Sequence, residues 1–415
     1  LAHDLTWAIT ALAIACVILR PWGLPEVIPA IAGAALLVVA GLLPAGAALT
    51  GIGQGADVYL FLTGMMLLAE LARGEKLFDW LAAATARLAA GSATRLFTLV
   101  YLMGTLVTVF LSNDATAVVL SPAVAAVARS VNAENPLPYL LICAFVANAA
   151  SFVLPISNPA NLVIYGQHVP PLSVWLPRYA PASLLAVAGT YALLRLSQRE
   201  ALRQTITVPA ARPALSPAGR ATGLGIIATA FALLLASGLG IPLGLPTALA
   251  AFATLAAVCL PRRLSPWKTL KQISWSTLAL VAGLFVLVAA LDRTGAVTAL
   301  AGLLRAGAAA SPAATAWTTG FALGFAGNLT NNLPAGLLAG HALQAAHAAP
   351  RTTAAALIGV DLGPNLSVTG SLATILWLNA LRREGLHVTG WRFLKLGALI
   401  MPPALLLALL AAVAF

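Results

Sequence analysis

The sequence predicts an all-α polytopic membrane protein made of two inverted repeats of five spans, each repeat carrying a re-entrant hairpin and a broken helix. Three observations predict this. Of 415 residues, 60% are hydrophobic and only 8% charged, a composition outside the range of soluble domains. Apolar runs of near-spanning length follow one another from Leu5 to Phe415, and about 20 such residues cross roughly 30 Å of hydrocarbon. The chain also resembles itself: "VFLSNDATAVVLSP" (109–122) aligns with "GNLTNNLPAGLLAG" (327–340), and "NAASFVLPISNPANLV" (148–163) with "DLGPNLSVTGSLATIL" (361–376).

In the first repeat (1–194), spans are expected at 5–19, 26–43, 56–72, 138–166 and 174–194. The first lacks a basic leader and runs through Arg20 into a second apolar segment, so it reads as a span and not a signal peptide. The segment 96–128 breaks at Ser112-Asn113-Asp114 and reads as a hairpin or a pair of short spans. Within 138–166 the run Leu154–Asn161 holds Pro155 and Pro159. Proline removes an amide donor and clashes with the preceding turn, so this helix breaks.

The 195–220 connection, rich in Arg, Pro and Ala, reads as a linker. In the second repeat (221–415), spans are expected at 221–238, 244–260, 275–292, 352–380 and 393–415, with a hairpin at 313–345 tipped by Thr330-Asn331-Asn332. The fourth of these spans breaks over Asp361–Ser371. The alignment pairs Asn113 with Asn331, Asn148 with Asp361, and Asn161 with Thr374. Five crossings, an odd number, separate the repeats, so the halves are inverted, as in alternating-access carriers.

Charge orients the chain. Arg20, the 195–220 and 261–271 connections, the basic residues flanking the first hairpin, and Arg382, Arg383, Arg392 and Lys395 fall on one side; Arg178, Arg293, Arg305 and Arg351 fall on the other. That is nineteen of the 23 Lys and Arg against four. By the positive-inside rule the nineteen are cytoplasmic and both termini lie outside. The net charge of +11 is therefore topogenic; its residues are scattered among connections, without the aromatic interleaving of a nucleic-acid surface. Cys16, Cys143 and Cys259 stand singly in apolar runs, which argues against disulfides and against a thiolate metal site.

Most of the 12 acidic residues fall at span ends or in connections, and Glu70 has Arg73 one turn on. Asp114 and Asp361 are the exceptions, with no Lys or Arg close in sequence. A carboxyl group there is a candidate proton carrier or cation ligand. Around them stand Ser112, Asn113, Asn148, Ser157, Asn158, Asn161, Thr330, Asn331, Asn332, Thr369, Gly370 and Ser371. In a bilayer, freed backbone groups must be satisfied, so such breaks line cavities.

At these residues the chain resembles the ArsB-type arsenite/antimonite efflux permeases of the ion transporter superfamily. "GVDLGPNLSVTGSLATILWLNALRREG" (359–385) carries the resemblance most specifically, supported by "LSNDATAVVLSP", "ISNPANLVIYG" and "GNLTNNLP". The resemblance covers essentially the whole chain. It implies a bacterial inner-membrane carrier that expels trivalent arsenic or antimony in exchange for protons, with no other cofactor, and that in some systems associates with a cytoplasmic arsenite-stimulated ATPase. Arsenite is largely neutral arsenous acid at neutral pH, so its carrier needs hydroxyl donors and acceptors. Asn113, Asn158, Asn161, Asn331, Asn332, Ser112, Ser157, Thr369 and Ser371 are groups of that kind, and Asp114 and Asp361 are the expected proton carriers.

Three other readings compete, one of them a channel, since inverted repeats and broken helices also build aqueous pores. A sodium-coupled anion carrier or a sodium/proton antiporter could use the same scaffold, although no Lys or Arg occurs in the four polar clusters. An intramembrane protease could use two buried aspartates, but neither sits in a GxGD context, and the serine and zinc motifs G-x-S-x-G and H-E-x-x-H are absent. The five histidines fall near span ends.

Overall fold

The chain was analysed as a computed structural model that describes residues 2–166, 168–208 and 214–414. Arg212, counted among the linker's charges, lies outside the described residues. Among the described residues, ten α-helices precede the linker: α1 (Ala2–Leu19), α2 (Val27–Val39), α3 (Ala45–Gln54), α4 (Ala56–Gly74), α5 (Leu77–Leu88), α6 (Ala93–Phe110), α7 (Ser121–Ser130), α8 (Leu137–Ala149), α9 (Pro159–Tyr165) and α10 (Leu172–Ser197). Ten follow it: α11 (Pro217–Gly238), α12 (Gly244–Cys259), α13 (Trp267–Leu270), α14 (Trp275–Arg293), α15 (Ala296–Ala310), α16 (Pro312–Thr330), α17 (Asn332–Ala346), α18 (Pro350–Leu362), α19 (Leu372–Arg383) and α20 (Gly390–Ala414). Among the described residues no strand forms beyond a single bridge between Ser92 and Thr205.

Helices on either side of the linker pack against one another in pairs. Helix α12 packs on α4 while α14 packs on α2; α17 packs on α9 while α19 packs on α7; α10 packs on its own counterpart, α20.

Among the described residues, six helices are long and apolar enough to cross a membrane: α1, α6, α10, α11, α14 and α20. The pair α3–α4, bent by 49°, meets the same length and composition test when taken together. The expected spans at 26–43 and 244–260 are shorter helices, α2 and α12, of 13 and 16 residues. The first hairpin's ascending arm, α6, is long enough to cross by itself. Segments 76–95 and 293–312 contain the helices α5 and α15 where the sequence suggested only connections. Asp79 and Arg87 in α5 keep its average polarity above that of a span, while Leu77, Phe78, Ala82 and Ala86 bury one face.

Both breaks and both hairpins appear where the polar clusters stand. Helices α8 and α9 are separated by an irregular segment, as are α18 and α19. The first hairpin turns at Leu111-Ser112 and descends through a wide π-type turn, Ala115–Leu120, into α7. Pro122 follows at once; its ring and missing N–H disfavour regular i→i−4 geometry on that approach. The second hairpin turns on Asn331 alone, at φ 69°.

In the second half the hairpin and the broken helix touch backbone to backbone. A Cβ on Gly359 would fall on the Gly320 carbonyl and 3.1 Å from the Gly324 nitrogen. Only glycine allows α16 and α18 to approach so closely.

Candidate functional site

The two tips and two breaks meet around a small void of about 20 Å³. Asn113 and Asp114 come from the first tip, Asn332 from the second, Asn158 from the first break and Ser371 from the second; Leu62 of α4 and Thr277 and Val281 of α14 close the sides. Past Asp114, Ser112 and Thr277 the space widens to a cavity of about 260 Å³. Beyond it lies a vestibule of about 530 Å³ bordered by Glu70, Arg73, Lys76, Asp79, Arg383 and Glu384. Shared walls at Leu62, Asp114 and Thr277, and then at Glu70, Val118 and Arg383, make these one tapering passage. At the vestibule Arg73 pairs with Glu70, and Arg129 reaches Glu384 at 2.6 Å, joining the foot of α7 to the end of α19.

Several polar side chains of the tips and breaks also cap helices. Asn158 caps α9 by accepting from the Ala160 amide at 3.0 Å, and Ser371 caps α19 by accepting from Ala373 at 3.2 Å. Asn331 caps α17 through the Leu333 amide at 3.4 Å. At the first tip, Ser112 Oγ accepts from Ala115 at 3.2 Å and Asn113 Oδ1 from Asp114 at 2.9 Å. Apolar surroundings make unsatisfied amides costly, so these caps fix where each helix starts. Asp114 is partly exposed to the passage; its carboxylate accepts no hydrogen bond and forms no ion pair among the described residues.

Asp361 sits elsewhere. It is fully buried and lines none of the three spaces; its carboxylate accepts from Asn158 Nδ2 and from Ser151 Oγ, each at 2.8 Å. Asn158 therefore touches the void and Asp361 at once. In the other half Asn148, the counterpart of Asp361, donates to Asn365 Oδ1 at 3.0 Å and Thr374 Oγ1 at 3.4 Å. Asn365 in turn donates to the Phe145 carbonyl at 3.0 Å. The two breaks are thus laced to one another.

Of the residues singled out in the sequence, Ser112, Asn113, Asp114, Asn158, Asn332 and Ser371 face the passage. Asn161 instead holds the first break together, donating to the Ser151 carbonyl at 2.9 Å. Ser157 donates to Val109 at 3.0 Å, tying that break to the first hairpin. Thr330 bonds to its own helix, Thr369 to the Asn328 carbonyl at 3.0 Å, and Asn331 borders a separate small void. Gly370 packs against Pro364 and Asn328.

Sequence reasoning missed the fasteners Ser151, Asn328 and Asn365. Asn328 binds Ser367 and the Gly324 and Gly363 carbonyls. It lies three residues before the quoted tip asparagine, and its spacing from Gly324 was the available signal. Thr277 was missed because its span carries no break. The free cysteines lie apart in α1, α8 and α12, away from the passage.

A bundle of membrane-length helices with two broken helices and two hairpin tips around a polar central void defines a membrane transporter. The chain belongs to the citrate transporter (CitMHS) family, whose pattern it matches over residues 11–360. It is 27% identical over 421 residues to the arsenical pump membrane protein of Escherichia coli K12, covering 98% of this chain and 97% of that one. It is 26% identical over 345 residues to the protein of the same name from Yersinia enterocolitica, covering 80% of each. Among solved structures, the Alcanivorax borkumensis YdaH transporter, described as having an unusual topology, shares the fold with a TM-score of 0.54 and 15% identity, covering 88% of this chain and 86% of that one. The family and these relatives are transporters, so the proteolytic reading is set aside.

Proposed function

We propose that this chain is a secondary carrier of the bacterial inner membrane that exports arsenite, and antimonite, from the cytoplasm in exchange for protons by alternating access. The observation that carries the reading is the central void: amides and hydroxyls from four separate clusters, one unpaired carboxylate, and no Lys, Arg or Cys. Neutral arsenous acid presents only hydroxyls, and donors and acceptors of this kind match it. The relatives named arsenical pumps point to the same cargo.

The family's description favours a second reading, citrate. A polycarboxylate needs several cations or neutral donors where it rests. No Lys or Arg lines the void; Arg383 lines the wider cavity and the vestibule. That placement argues for the neutral cargo.

Proton coupling is supported by counting hydrogens at Asp361. Ser151 Oγ lies 2.8 Å from the Asn148 carbonyl and 2.8 Å from Asp361 Oδ2, yet a hydroxyl has one proton to donate. With a proton on Oδ2 the acid donates to Ser151, Ser151 donates to Asn148, and both acceptors are served. Asp114, bordering the passage, is the carboxyl group placed to exchange protons with water in the vestibule. By the charge rule the vestibule faces the cytoplasm, and the inverted halves give the second, outward state by exchanging roles.

Arsenite uptake into everted vesicles, driven by an imposed pH gradient and abolished by a protonophore, tests this. Sodium/proton exchange indifferent to arsenite, or citrate counterflow without arsenite flux, would overturn it.

A further inference from the structure

At the same end of the bundle as the vestibule, a separate cavity of about 280 Å³ opens between the start of α8, the end of α10 and the start of α20. Its floor is apolar, from Leu137, Leu141, Phe393 and Leu396, and its rim carries Arg392, Lys395 and Gln198. No acidic residue lines it, and neither cation forms an ion pair among the described residues. Trp391, 65% exposed, stands beside the rim with Lys395 Nζ 5.3 Å from its ring centre, and Leu399 at the outer edge is 52% exposed. An exposed tryptophan beside cations marks the membrane–water boundary.

We propose that this groove binds an anionic phospholipid, its phosphate held by Arg392, Lys395 and the Gln198 amide, and the start of an acyl chain lying over the leucines. The apolar floor and the exposed Leu399 suit an amphiphile better than a free phosphate. The two unpaired cations select an anionic headgroup over a zwitterionic one, which would bring its own ammonium against them. Basic pockets between helices at this depth have the right electrostatics for such a lipid. The inference rests on membrane embedding alone and is independent of the transported cargo.

The test uses the purified full chain in detergent micelles, titrated with phosphatidylglycerol, phosphatidylcholine of the same acyl chains, or inorganic phosphate. Retained lipid is measured by mass spectrometry and stability by thermal unfolding. The expected result is preferential retention of, and stabilisation by, phosphatidylglycerol, weakened about 30-fold in the Arg392→Gln/Lys395→Gln chain. A second variant, Gln198→Glu, sets a carboxylate on the rim and is expected to lose the preference as well, while Arg199→Gln, outside the groove, keeps it. Equal binding of the two lipids, a preference unchanged in both groove variants, or full reproduction of the effect by inorganic phosphate would overturn the proposal.

Discussion

Asn148 and Asp361 occupy the same next-to-last position of the matched 13-residue helices α8 and α18, and each side chain reaches into the other half's break. One is an amide and donates; the other is a carboxyl group and accepts. The site is therefore held by reciprocal lacing in which the two halves have taken opposite hydrogen-bonding roles. Asn158 joins this lacing to the void.

Replacing Asp361 separates its two roles. Asp361→Ala leaves the Asn158 amide without its buried acceptor, with only the Asn148 carbonyl left to the Ser151 hydroxyl, and is expected to destabilise the protein by about 1–3 kcal/mol, read as a lower unfolding midpoint in micelles. Asp361→Asn keeps a neutral group of the same shape and is expected to fold while losing pH-driven transport. Full coupled transport by Asp361→Asn would reduce the residue to a brace.

Asp114→Asn removes the carboxylate that borders the central void. Folding is expected to be unchanged, because that carboxylate makes no hydrogen bond to lose. Arsenite uptake into everted vesicles is expected to fall at least tenfold and to stop responding to an imposed pH gradient. A variant with normal pH dependence would remove Asp114 from the coupling path.

How far these assignments were legible in the sequence depends on the kind of signal. Polar tips and prolines inside apolar runs stand out because a bilayer makes them costly, so both hairpins, both breaks and Asp114 could be located. The internal alignment paired Asn148 with Asp361, and both stand next to last in 13-residue helices. Sequence spacing could not say which way a helix end turns. Asp361 was grouped with the passage residues, although its side chain points away from the passage towards Ser151. Asn161 and Thr369 looked like ligands but satisfy backbone carbonyls and so hold the breaks in shape. Helices α5 and α15 escaped because a hydropathy average hides a short amphipathic helix.

A chain with Cys16→Ser, Cys143→Ala and Cys259→Ala tests the thiolate question. All three cysteines lie away from the passage, so arsenite efflux is expected to stay within about twofold of wild type, allowing up to about 1.5 kcal/mol of stability loss where Cys143 leaves a small cavity. A loss of transport without a matching loss of folded protein would place sulfur in the pathway and return soft-metal coordination to consideration.

Gly359→Val tests the contact that sets the second half's hairpin against its broken helix. The added side chain would strike the Gly320 carbonyl, and the backbones of α16 and α18 are the atoms that must separate. Overpacking of this kind typically costs about 1–3 kcal/mol, and backbone neighbours give less readily than side chains. The variant is therefore expected to melt lower. Because Asn328 on α16 also anchors Ser367 and the Gly363 carbonyl, separating α16 from α18 would shift Ser371 relative to Asn158. Weaker arsenite affinity in the remaining folded protein is the expected consequence, and Gly336→Ala on α17, where a Cβ would meet Val360 only at 3.4 Å, is expected to show neither effect. Unchanged melting and affinity in Gly359→Val would mean that α16 and α18 do not need to be this close for the void to form.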